Sequence, residues 1–339
     1  MVKTTLKEIA NTLGISISTV SKALKDYPDV SEKTKLKVLA LAESVNYSPN
    51  VFAQSLRSKE SKTIGVIIPS MVHYFFSNII NAILKEAEVK GYMVIIMQSN
   101  EDYELEKKQV DLLINKGVDG ILISLSNNTN NFKHLQKIKD YDIPLVLFDK
   151  ITKLIDCSKV VINDIKASYE AVSYLINKGY KRIAYFRGDL NPQNSIDRFL
   201  GYKKALEDNG IVFDSSLVYI CNNGDFENGY LNAEKLINTH GKSIDAIYTV
   251  TDLTAIGVIN YLNEHNIKIP EDIAVFGFSN WFMSSVITPT LSSVEQNANV
   301  TGEKSIELLF EEIECKQKGI DFKPKTLTVD TELIIRNSS

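Results

Sequence analysis

Two hydrophobic patterns divide the chain near residue 60. Before this point, apolar residues recur at the helical spacing of three and four, in segments that begin at Thr5, Ser16 and Ser31. Each of these hydroxyl residues is a good helix N-cap, and Glu8 completes a capping-box pattern with Thr5. Gly14 is placed to end the first helix. Helices are predicted over residues 6–13, 17–24 and 32–45. Three short helices with tight turns indicate a helix-turn-helix unit.

The inner faces of these helices should form a small core. The residues that the spacing assigns to this core are Leu6, Ile9, Ala10, Leu13, Val20, Leu24, Leu36, Val38, Leu39 and Ala42. A helix needs such an apolar stripe because its stability in a protein comes mainly from packing.

From Thr63 onward, apolar runs of strand length alternate with amphipathic helices. Strands are predicted at 64–69, 93–97, 121–125, 145–148, 182–186, 218–221, 246–249 and 273–278. Helices are predicted at 77–90, 104–116, 165–178, 196–209, 227–239 and 253–265. Repeated β-α units form parallel sheets that helices cover on both faces, and a segment this long favours two such sheets over one. The predicted fold is therefore an all-α helix-turn-helix domain followed by an α/β core of two doubly wound parallel-sheet lobes.

The core carries no sequence signature of a common enzyme. It contains neither a G-x-x-x-x-G-K-[ST] loop nor a G-x-G-x-x-G loop, and it lacks a G-x-S-x-G elbow. The four histidines are scattered, which gives no support to a metal centre. These observations favour a ligand-binding protein without cofactor or metal. They disfavour an enzyme on a doubly wound fold, such as a sugar kinase.

Charge and cysteine content bear on the partner and the compartment. The net charge of −4 is uneven: residues 1–60 hold nine Lys or Arg and six Asp or Glu, a net +3, and the remainder is −7. Such asymmetry is a reason to look for a nucleic-acid-binding segment. Three widely spaced cysteines form no disulfide framework. The N-terminus resembles no secretory signal and no apolar run is long enough to span a membrane, so we expect a cytoplasmic protein.

Residues 5–58 closely resemble the DNA-binding region of the lactose-repressor (LacI/GalR) family of bacterial transcription regulators. The matching strings are IS-x-STVS-x-AL, VS-x-x-T and NY-x-PN-x-x-A-x-SL. Core segments such as IGVIIP, GVDGILIS and IPEDIAVFGFSN extend the resemblance over nearly the whole chain. It implies a homodimeric transcription regulator, expected to be a repressor, that binds near-palindromic operator DNA. It also implies a core like a periplasmic sugar-binding protein, with a sugar-like effector between the lobes.

The resemblance also implies domain boundaries. The helix-turn-helix domain is expected at 1–48, the hinge helix and linker at 49–62, and the effector-binding and dimerisation core at 63–339. Within the core, we expect a first lobe of about 63–162 plus 294–325 and a second lobe of about 163–293 plus 326–339. The final helix, about 299–317, would return to the first lobe and a last strand, about 326–335, to the second.

The second helix is implied to enter the DNA major groove, with Ile17, Ser18 and Lys22 facing the bases. Lys22 can donate to guanine and Ser18 can pair with several base edges, whereas Ile17 offers only an apolar contact, such as one to a thymine methyl. Phosphate contacts are expected from Thr5, Ser16, Thr19, Ser21 and Thr34, together with backbone amides at helix N-termini. The alternative for these hydroxyls is that they only cap helices.

Residues 50–58 resemble the hinge helix of the family. Two copies, one from each subunit, would lie in the minor groove, with Leu56 wedged between base pairs and Asn50, Ala53 and Gln54 lining the groove. The alternative for Leu56 is a leucine of the hydrophobic core. A helix this short is marginal in water by itself, which favours folding on DNA.

The effector site is implied to lie between the lobes. The candidate residues are Phe75, Phe76, Asp149, Arg198, Phe226, Thr251, Asp252, Ser279, Asn280 and Trp281. Aromatic rings stack on sugar faces, while Arg, Asp and Asn bind hydroxyls. Packing is the alternative role for Phe75 and Phe76, and helix capping is the alternative role for Asp252.

Two departures from relatives bear on the identity of the effector. Ser279 stands where many relatives have an effector-binding Asp, which points to a modified or acidic sugar or to compensation by Asn280 or Trp281. Pro192 stands where purine-responsive relatives have an arginine, which disfavours the alternative of a nucleobase-responsive, co-repressed regulator. The remaining alternative, a ligand-binding protein without a DNA role, does not account for residues 1–58.

Overall fold

A computed structural model describes residues 5–47, 60–72 and 74–339. The chain divides into two compact units, Met1–Ser61 and Lys62–Ser339. The helices are α1 (Leu6–Leu13), α2 (Ile17–Leu24), α3 (Glu32–Ser44), α4 (Tyr74–Val89), α5 (Tyr103–Lys116), α6 (Lys133–Asp140), α7 (Asp164–Asn177), α8 (Gln193–Asp208), α9 (Phe226–His240), α10 (Asp252–Glu264) and α11 (Ala298–Gln317). The strands are β1 (Thr63–Ile68), β2 (Met93–Gln98), β3 (Gly120–Ile123), β4 (Leu145–Phe148), β5 (Ser158–Ile162), β6 (Ile183–Arg187), β7 (Val218–Ile220), β8 (Ala246–Thr249), β9 (Ala274–Phe278), β10 (Ser292–Glu295), β11 (Thr326–Val329) and β12 (Glu332–Ile334). Within these described residues, no helix is both long and apolar enough to cross a membrane.

The first unit is a three-helix domain whose helix starts match the predicted caps. Thr5 forms the capping box with Glu8: its hydroxyl accepts from the Glu8 amide, and its own amide donates to the Glu8 carboxylate at 2.7 Å. Ser16 and Ser31 cap α2 and α3 by accepting from backbone amides three residues later. The core of this unit is the cluster of Ile9, Ala10, Val20, Ala23, Val30, Val38 and Ala42.

The prediction that Leu36 and Leu39 are buried is wrong. Leu36 is 66% exposed and Leu39 is 48% exposed. The inner face of α3 is instead formed by Lys35, Val38 and Ala42, and Leu36 lies about 100° around the helix from Lys35. The aliphatic stem of Lys35 can be buried because its ammonium group pairs with the carboxylates of the surface residues Asp26 and Glu32.

The second unit consists of two lobes, each built on a six-stranded sheet. The first sheet has the order β11-β5-β4-β3-β1-β2, and all of its strands are parallel. The second has the order β12-β10-β9-β8-β6-β7, and only β12 is antiparallel to its neighbour. Hydrophobic clusters form two cores in each lobe. The doubly wound two-lobe fold is confirmed.

The chain crosses between the lobes three times. It passes from β5 in the first sheet to α7, from β10 in the second sheet to α11, and from β11 to β12. The expected single strand at about 326–335 is wrong in its first half, because Thr326–Val329 pairs with β5 of the first sheet. Only Glu332–Ile334 joins the second sheet. Strands β5 and β10 and helix α6 have no counterpart among the predicted elements.

Close packing between α7 and α8 places the central side chain of the site. At Gly201 a Cβ atom would lie 2.3 Å from the Ile165 carbonyl oxygen and 2.9 Å from the Ser168 Cβ. Only glycine permits this approach of the two helices. The approach lets the Ser168 hydroxyl donate to the Arg198 carbonyl at 2.7 Å, so α8 is fixed on α7 at the turn that carries Arg198.

Candidate functional site

A cavity lies between the two lobes of the second unit, at the carboxyl ends of strands from both sheets. This is where open parallel sheets bind ligands. Eight of the ten predicted effector residues line it: Phe75, Phe76, Asp149, Arg198, Thr251, Asp252, Ser279 and Trp281. Loops after β4, β8 and β9 supply Asp149, Thr251, Ser279 and Trp281, while the other four come from the first halves of the helices α4, α8 and α10.

Arg198 is the most constrained side chain of the cavity. It is 5% exposed, and its Nε donates to Asp164 Oδ1 at 2.7 Å. Nη1 donates to the Val250 carbonyl at 3.1 Å and Nη2 to Gln296 Oε1 at 3.2 Å. The guanidinium lies 3.7 Å from the centre of the Phe278 ring. These bonds use three of its five N–H groups, so two can still donate to a ligand.

Burial determines the electrostatics of the ion pair between Arg198 and Asp164. Burial raises the pKa of Asp164 to about 7, although the positive charge of Arg198 lowers it. Burial alone would lower the pKa of Arg198, but the carboxylates of Asp164 and Asp149 raise it above its ordinary value. Arg198 therefore stays charged.

Asp149 directly follows β4 on the opposite wall of the cavity. Its φ is +55°, a left-handed conformation that is uncommon for a residue with a side chain and typical of functional sites. Its carboxylate accepts from Asn194 Nδ2 of the second lobe at 3.2 Å. Burial raises its pKa, and the charges of Arg198 and Lys150 oppose that shift. It is a hydrogen-bond acceptor directed at the cavity.

Asp252 has a supporting role in the geometry of the site. Its Oδ2 accepts from the Trp281 amide at 2.6 Å and from the Ser284 hydroxyl at 2.7 Å, and its Oδ1 accepts from the Ser293 hydroxyl at 2.5 Å. The carboxylate therefore fixes the loop that carries Trp281. The N-cap of α10 is Thr251, whose hydroxyl accepts from the Thr254 amide, so the capping alternative for Asp252 is wrong.

Ser279 is part of a polar chain on the floor of the cavity. Its hydroxyl accepts from Gln296 Nε2 at 2.8 Å, and Gln296 Oε1 accepts in turn from Arg198. Gln296 is 3% exposed. A neutral hydroxyl thus stands at position 279, where the family resemblance leads one to expect a carboxylate, and it reaches Arg198 through the amide of Gln296.

The remaining two candidates, Phe226 and Asn280, are not among the described residues that line the cavity. Phe226 is the first residue of α9 and is 38% exposed. The side chain of Asn280 donates to Glu295 at 2.7 Å and accepts from Arg336 at 2.7 Å. These partners direct Asn280 toward the second sheet. Its side chain therefore does not replace the carboxylate that is missing at position 279.

Aromatic rings enclose the cavity on the first-lobe side and at its entrance. Phe76 is 4% exposed and lies 6.5 Å from Phe148 between ring centres, so it belongs to the hydrophobic core as well as to the cavity wall. Phe75 packs edge-on against it. Tyr74 of the first lobe lies 6.5 Å from Trp281 of the second. Trp281 can therefore cover a ligand bound between the lobes.

The sequence did not identify eight polar residues of the cavity wall: Glu101, Asn127, Lys150, Asp189, Asn194, Ser195, Asn223 and Gln296. All except Asn194 and Ser195 follow the carboxyl end of a strand within a few residues. That position was the available signal, since ligands of such sheets bind there. The local sequence pattern gave no sign that Asn127 contacts Asp189, or that Asn194 contacts Asp149, across the two lobes.

In the first unit, α2 presents the predicted DNA-reading residues at its surface. Ile17 is 41% exposed, Ser18 is exposed, and the Lys22 ammonium pairs with the Asp29 carboxylate. The Ser16 hydroxyl lies 2.7 Å from that of Ser18 and 2.8 Å from that of Thr19.

Some of the other predicted DNA-contacting residues lie within the described part of the chain, and the rest lie outside it. The Thr34 hydroxyl lies 2.8 Å from that of Ser31, and the Thr34 amide is used by the Ser31 cap. Ser21 is partly exposed on α2. Asn50, Ala53, Gln54 and Leu56 lie outside the described residues.

Comparisons with known proteins agree over the whole chain. The model for bacterial regulatory proteins of the lacI family matches residues 5–50, and the model for periplasmic binding proteins and the sugar binding domain of the LacI family matches residues 61–335. The HTH-type transcriptional regulator RegA of Clostridium saccharobutylicum is 31% identical over 337 residues, which cover 99% of each chain.

Two solved structures show the same fold at lower identity. A dimer of the Lac repressor bound to operator and the anti-inducer ONPF has a TM-score of 0.86 at 24% identity and covers 99% of each chain. A complex of the transcriptional regulator CelR with cellobiose has a TM-score of 0.75 at 22% identity, over 99% of this chain and 100% of that one.

Proposed function

Because this chain belongs to the lacI family of bacterial regulatory proteins, we propose that it is a homodimeric repressor of near-palindromic operators that responds to an uncharged sugar. Members of this family are DNA-binding transcriptional regulators and not enzymes, and they bind operator DNA and small-molecule effectors. A regulator of transcription works beside the bacterial chromosome, which is in the cytoplasm. The operator half-site, the dimer and the effector class are the parts that we propose.

The DNA half-site is read by α2. We assign base contacts to Ile17, Ser18 and Lys22, because these side chains lie at the surface of the recognition helix. Lys22 is the only basic residue in α2 and can donate to guanine. The proposed phosphate contacts are the hydroxyls of Thr5, Ser16, Thr19, Ser21 and Thr34. Asn50, Ala53, Gln54 and Leu56 remain predicted minor-groove contacts of a hinge helix.

The single observation that carries the effector class is the charge balance of the cavity wall. Among the described residues of the wall, the two cations are already paired, Lys150 with Glu101 at 2.6 Å and Arg198 with Asp164 at 2.7 Å. Within the same described residues, Asp149 and Asp189 form no such ion pair and accept from neutral amide groups instead. An acidic sugar would face these carboxylates, whereas an uncharged sugar can donate its hydroxyls to them and accept from Arg198.

The aromatic residues support a sugar over a smaller polar ligand. Phe75, Phe76 and Trp281 line the cavity and offer faces to the apolar side of a sugar ring. The solved complex of CelR contains cellobiose, a neutral disaccharide, in a protein of the same fold. Pro192 also lines the cavity, and its side chain has no polar group with which to bind a nucleobase.

Exposed edge strands support the dimer. Strand β2 lies at the edge of the first sheet, Met93 is 61% exposed, and Val94, Ile95, Ile96 and Met97 are partly exposed. An apolar edge strand is an aggregation hazard unless another chain or element covers it. The Lac repressor structure of the same fold is a dimer on operator DNA. A second copy of this chain is the proposed cover.

Calorimetry separates the candidate effector classes. The full chain is titrated with neutral mono- and disaccharides, with uronic acids and sugar phosphates, and with purine bases. We expect heat of binding from a neutral sugar only. Binding of an acidic sugar alone would contradict the charge argument, and binding of a purine alone would favour the nucleobase-responsive alternative. Footprinting on palindromic DNA, repeated with the ligand that binds, tests whether it changes operator affinity.

A further inference from the structure

Asn127 joins the two lobes across the wall of the cavity. It follows β3 in the first lobe and is 6% exposed. Its Nδ2 donates to Asp189 Oδ2 at 2.6 Å and lies 3.4 Å from Asn223 Oδ1. Both acceptors belong to the second lobe, where Asp189 follows β6 and Asn223 follows β7. One amide group therefore contacts two loops of the opposite lobe.

The loop that carries Asn127 is fixed within the first lobe. The buried carboxylate of Glu106 accepts from the Ser126 amide at 2.6 Å and from the Thr129 hydroxyl at 3.0 Å. Its Oε1 also lies 2.8 Å from His134 Nε2. These bonds hold the loop on both sides of Asn127. The amide is thus presented by a rigid support, which a precise contact between lobes requires.

Charged groups extend the contact at both ends. The backbone N–H of Asn127 donates to Glu101 Oε2 at 2.6 Å, and its side-chain Oδ1 accepts from the Lys150 ammonium. On the other side, Asp189 Oδ2 also accepts from the Asn223 backbone amide at 2.9 Å. A hydrogen bond to an ionised acceptor is stronger than a neutral one, and neighbouring bonds of this kind polarise one another.

We propose that Asn127 and Asp189 form a bridge that holds the lobes together before any effector binds. The ratio of closed to open molecules in the ligand-free chain is then set by its own side chains. Both residues line the cavity, so an entering ligand meets the bridge. A hydroxyl group can replace it, because it can donate to Asp189 and accept from Asn127 at once.

The single tryptophan of the chain is a built-in reporter of this closure. Trp281 of the second lobe lies 6.5 Å from Tyr74 of the first between ring centres. Opening the lobes separates the two rings and exposes the indole to water. Its emission maximum should then shift to longer wavelength, and acrylamide should quench it more strongly. Neither DNA nor effector is needed, so this test can fail without bearing on the proposed function.

A reciprocal exchange tests the bridge in the full-length protein. Asn127→Asp places two carboxylates against each other and should shift the ratio of closed to open molecules by about tenfold or more toward open. Adding Asp189→Asn restores one amide and one carboxylate with their roles exchanged, so the double variant should regain the wild-type emission and quenching. Asn127→Ala, which removes the donor without adding charge, should open the lobes less than Asn127→Asp does.

Asn128→Asp is the matched control. It adds the same charge one residue away, at an exposed side chain that donates to Glu101 within its own lobe, and should leave the emission unchanged. Circular dichroism establishes that each variant is folded. The proposal is overturned if folded Asn127→Asp or Asn127→Ala retains wild-type quenching. It is also overturned if Asn128→Asp opens the lobes equally, or if the exchange fails to restore closure.

Discussion

Replacing Arg198 should destabilise the core because it leaves the buried carboxylate of Asp164 without its cation. Arg198→Met keeps most of the side-chain volume and the packing on Phe278, so the change is mainly electrostatic. It also removes the donors to Val250 and Gln296. Breaking a buried ion pair by removing one partner lowers the free energy of unfolding by about 3–5 kcal/mol, and we expect a loss of that size at pH 8.

The loss should depend on pH through Asp164. A carboxyl whose folded pKa is about 7, above its unfolded pKa of 3.8, binds more protons in the folded state and so destabilises the fold as the pH rises between these values. Without Arg198, nothing of equal strength lowers that pKa, so the decline should continue above pH 7. The loss in the variant should therefore be smaller at pH 5 than at pH 8, by up to about 1.4 kcal/mol, because one proton with a wild-type pKa of about 7 contributes no more than that between these pH values.

Urea unfolding followed by Trp281 fluorescence measures the effect at both pH values. Asp164→Asn combined with Arg198→Met removes the isolated charge and should recover most of the stability while effector binding stays lost. The control is Arg182→Met at an exposed arginine, expected to change stability by less than about 0.5 kcal/mol. A loss for Arg198→Met below about 1 kcal/mol at pH 8, or one independent of pH, would refute the electrostatic reasoning.

Three further variants address other parts of the chain. Asp252→Asn should lower the free energy of unfolding by about 1–3 kcal/mol in urea titrations. Because the substitution also loosens the loop that carries Trp281, it should weaken effector binding in calorimetry. Asp29→Asn should release Lys22 and tighten binding to random-sequence DNA several-fold at low salt by fluorescence anisotropy, an effect that 0.5 M salt should remove; unchanged anisotropy would contradict it. Thr5→Ala should destabilise the first unit by about 1 kcal/mol in thermal melts, whereas full stability would show that the capping box contributes little.

Local features of the fold could be predicted from the sequence, and features set by distant neighbours could not. The N-caps at Thr5, Ser16 and Ser31 act within three residues, so they were visible in the pattern and are confirmed. Leu36 was misassigned because the stem of Lys35 occupies the inner face of α3, with its ammonium group paired with Asp26 before the helix and with Glu32 one turn earlier. Strand β10 was missed because its serines are buried only through neighbouring strands.

In the cavity, too, the sequence predicts the local features but not the contacts between residues that are distant in sequence. Asp149 and Arg198 lie where strand ends and the family resemblance placed them. The use of each side chain depends on contacts far away in sequence: Asp252 accepts from Ser293, 41 residues later, and Asn127 donates to Asp189, 62 residues later. No periodicity or motif encodes such pairs, because the Asp252–Ser293 pair forms only when the second lobe folds and the Asn127–Asp189 pair only when the two lobes meet.

Selection of DNA sequences from a random pool by the purified full-length chain tests the central claim most directly. A homodimer that reads DNA through α2 should enrich two half-sites of opposite orientation, and Lys22→Ala should relax the preference at one base of each half-site. Adding the sugar found by calorimetry should change the affinity for the enriched sequence. Enrichment of a single unpaired site, or no enrichment at all, would contradict the proposal of a dimeric, effector-controlled regulator.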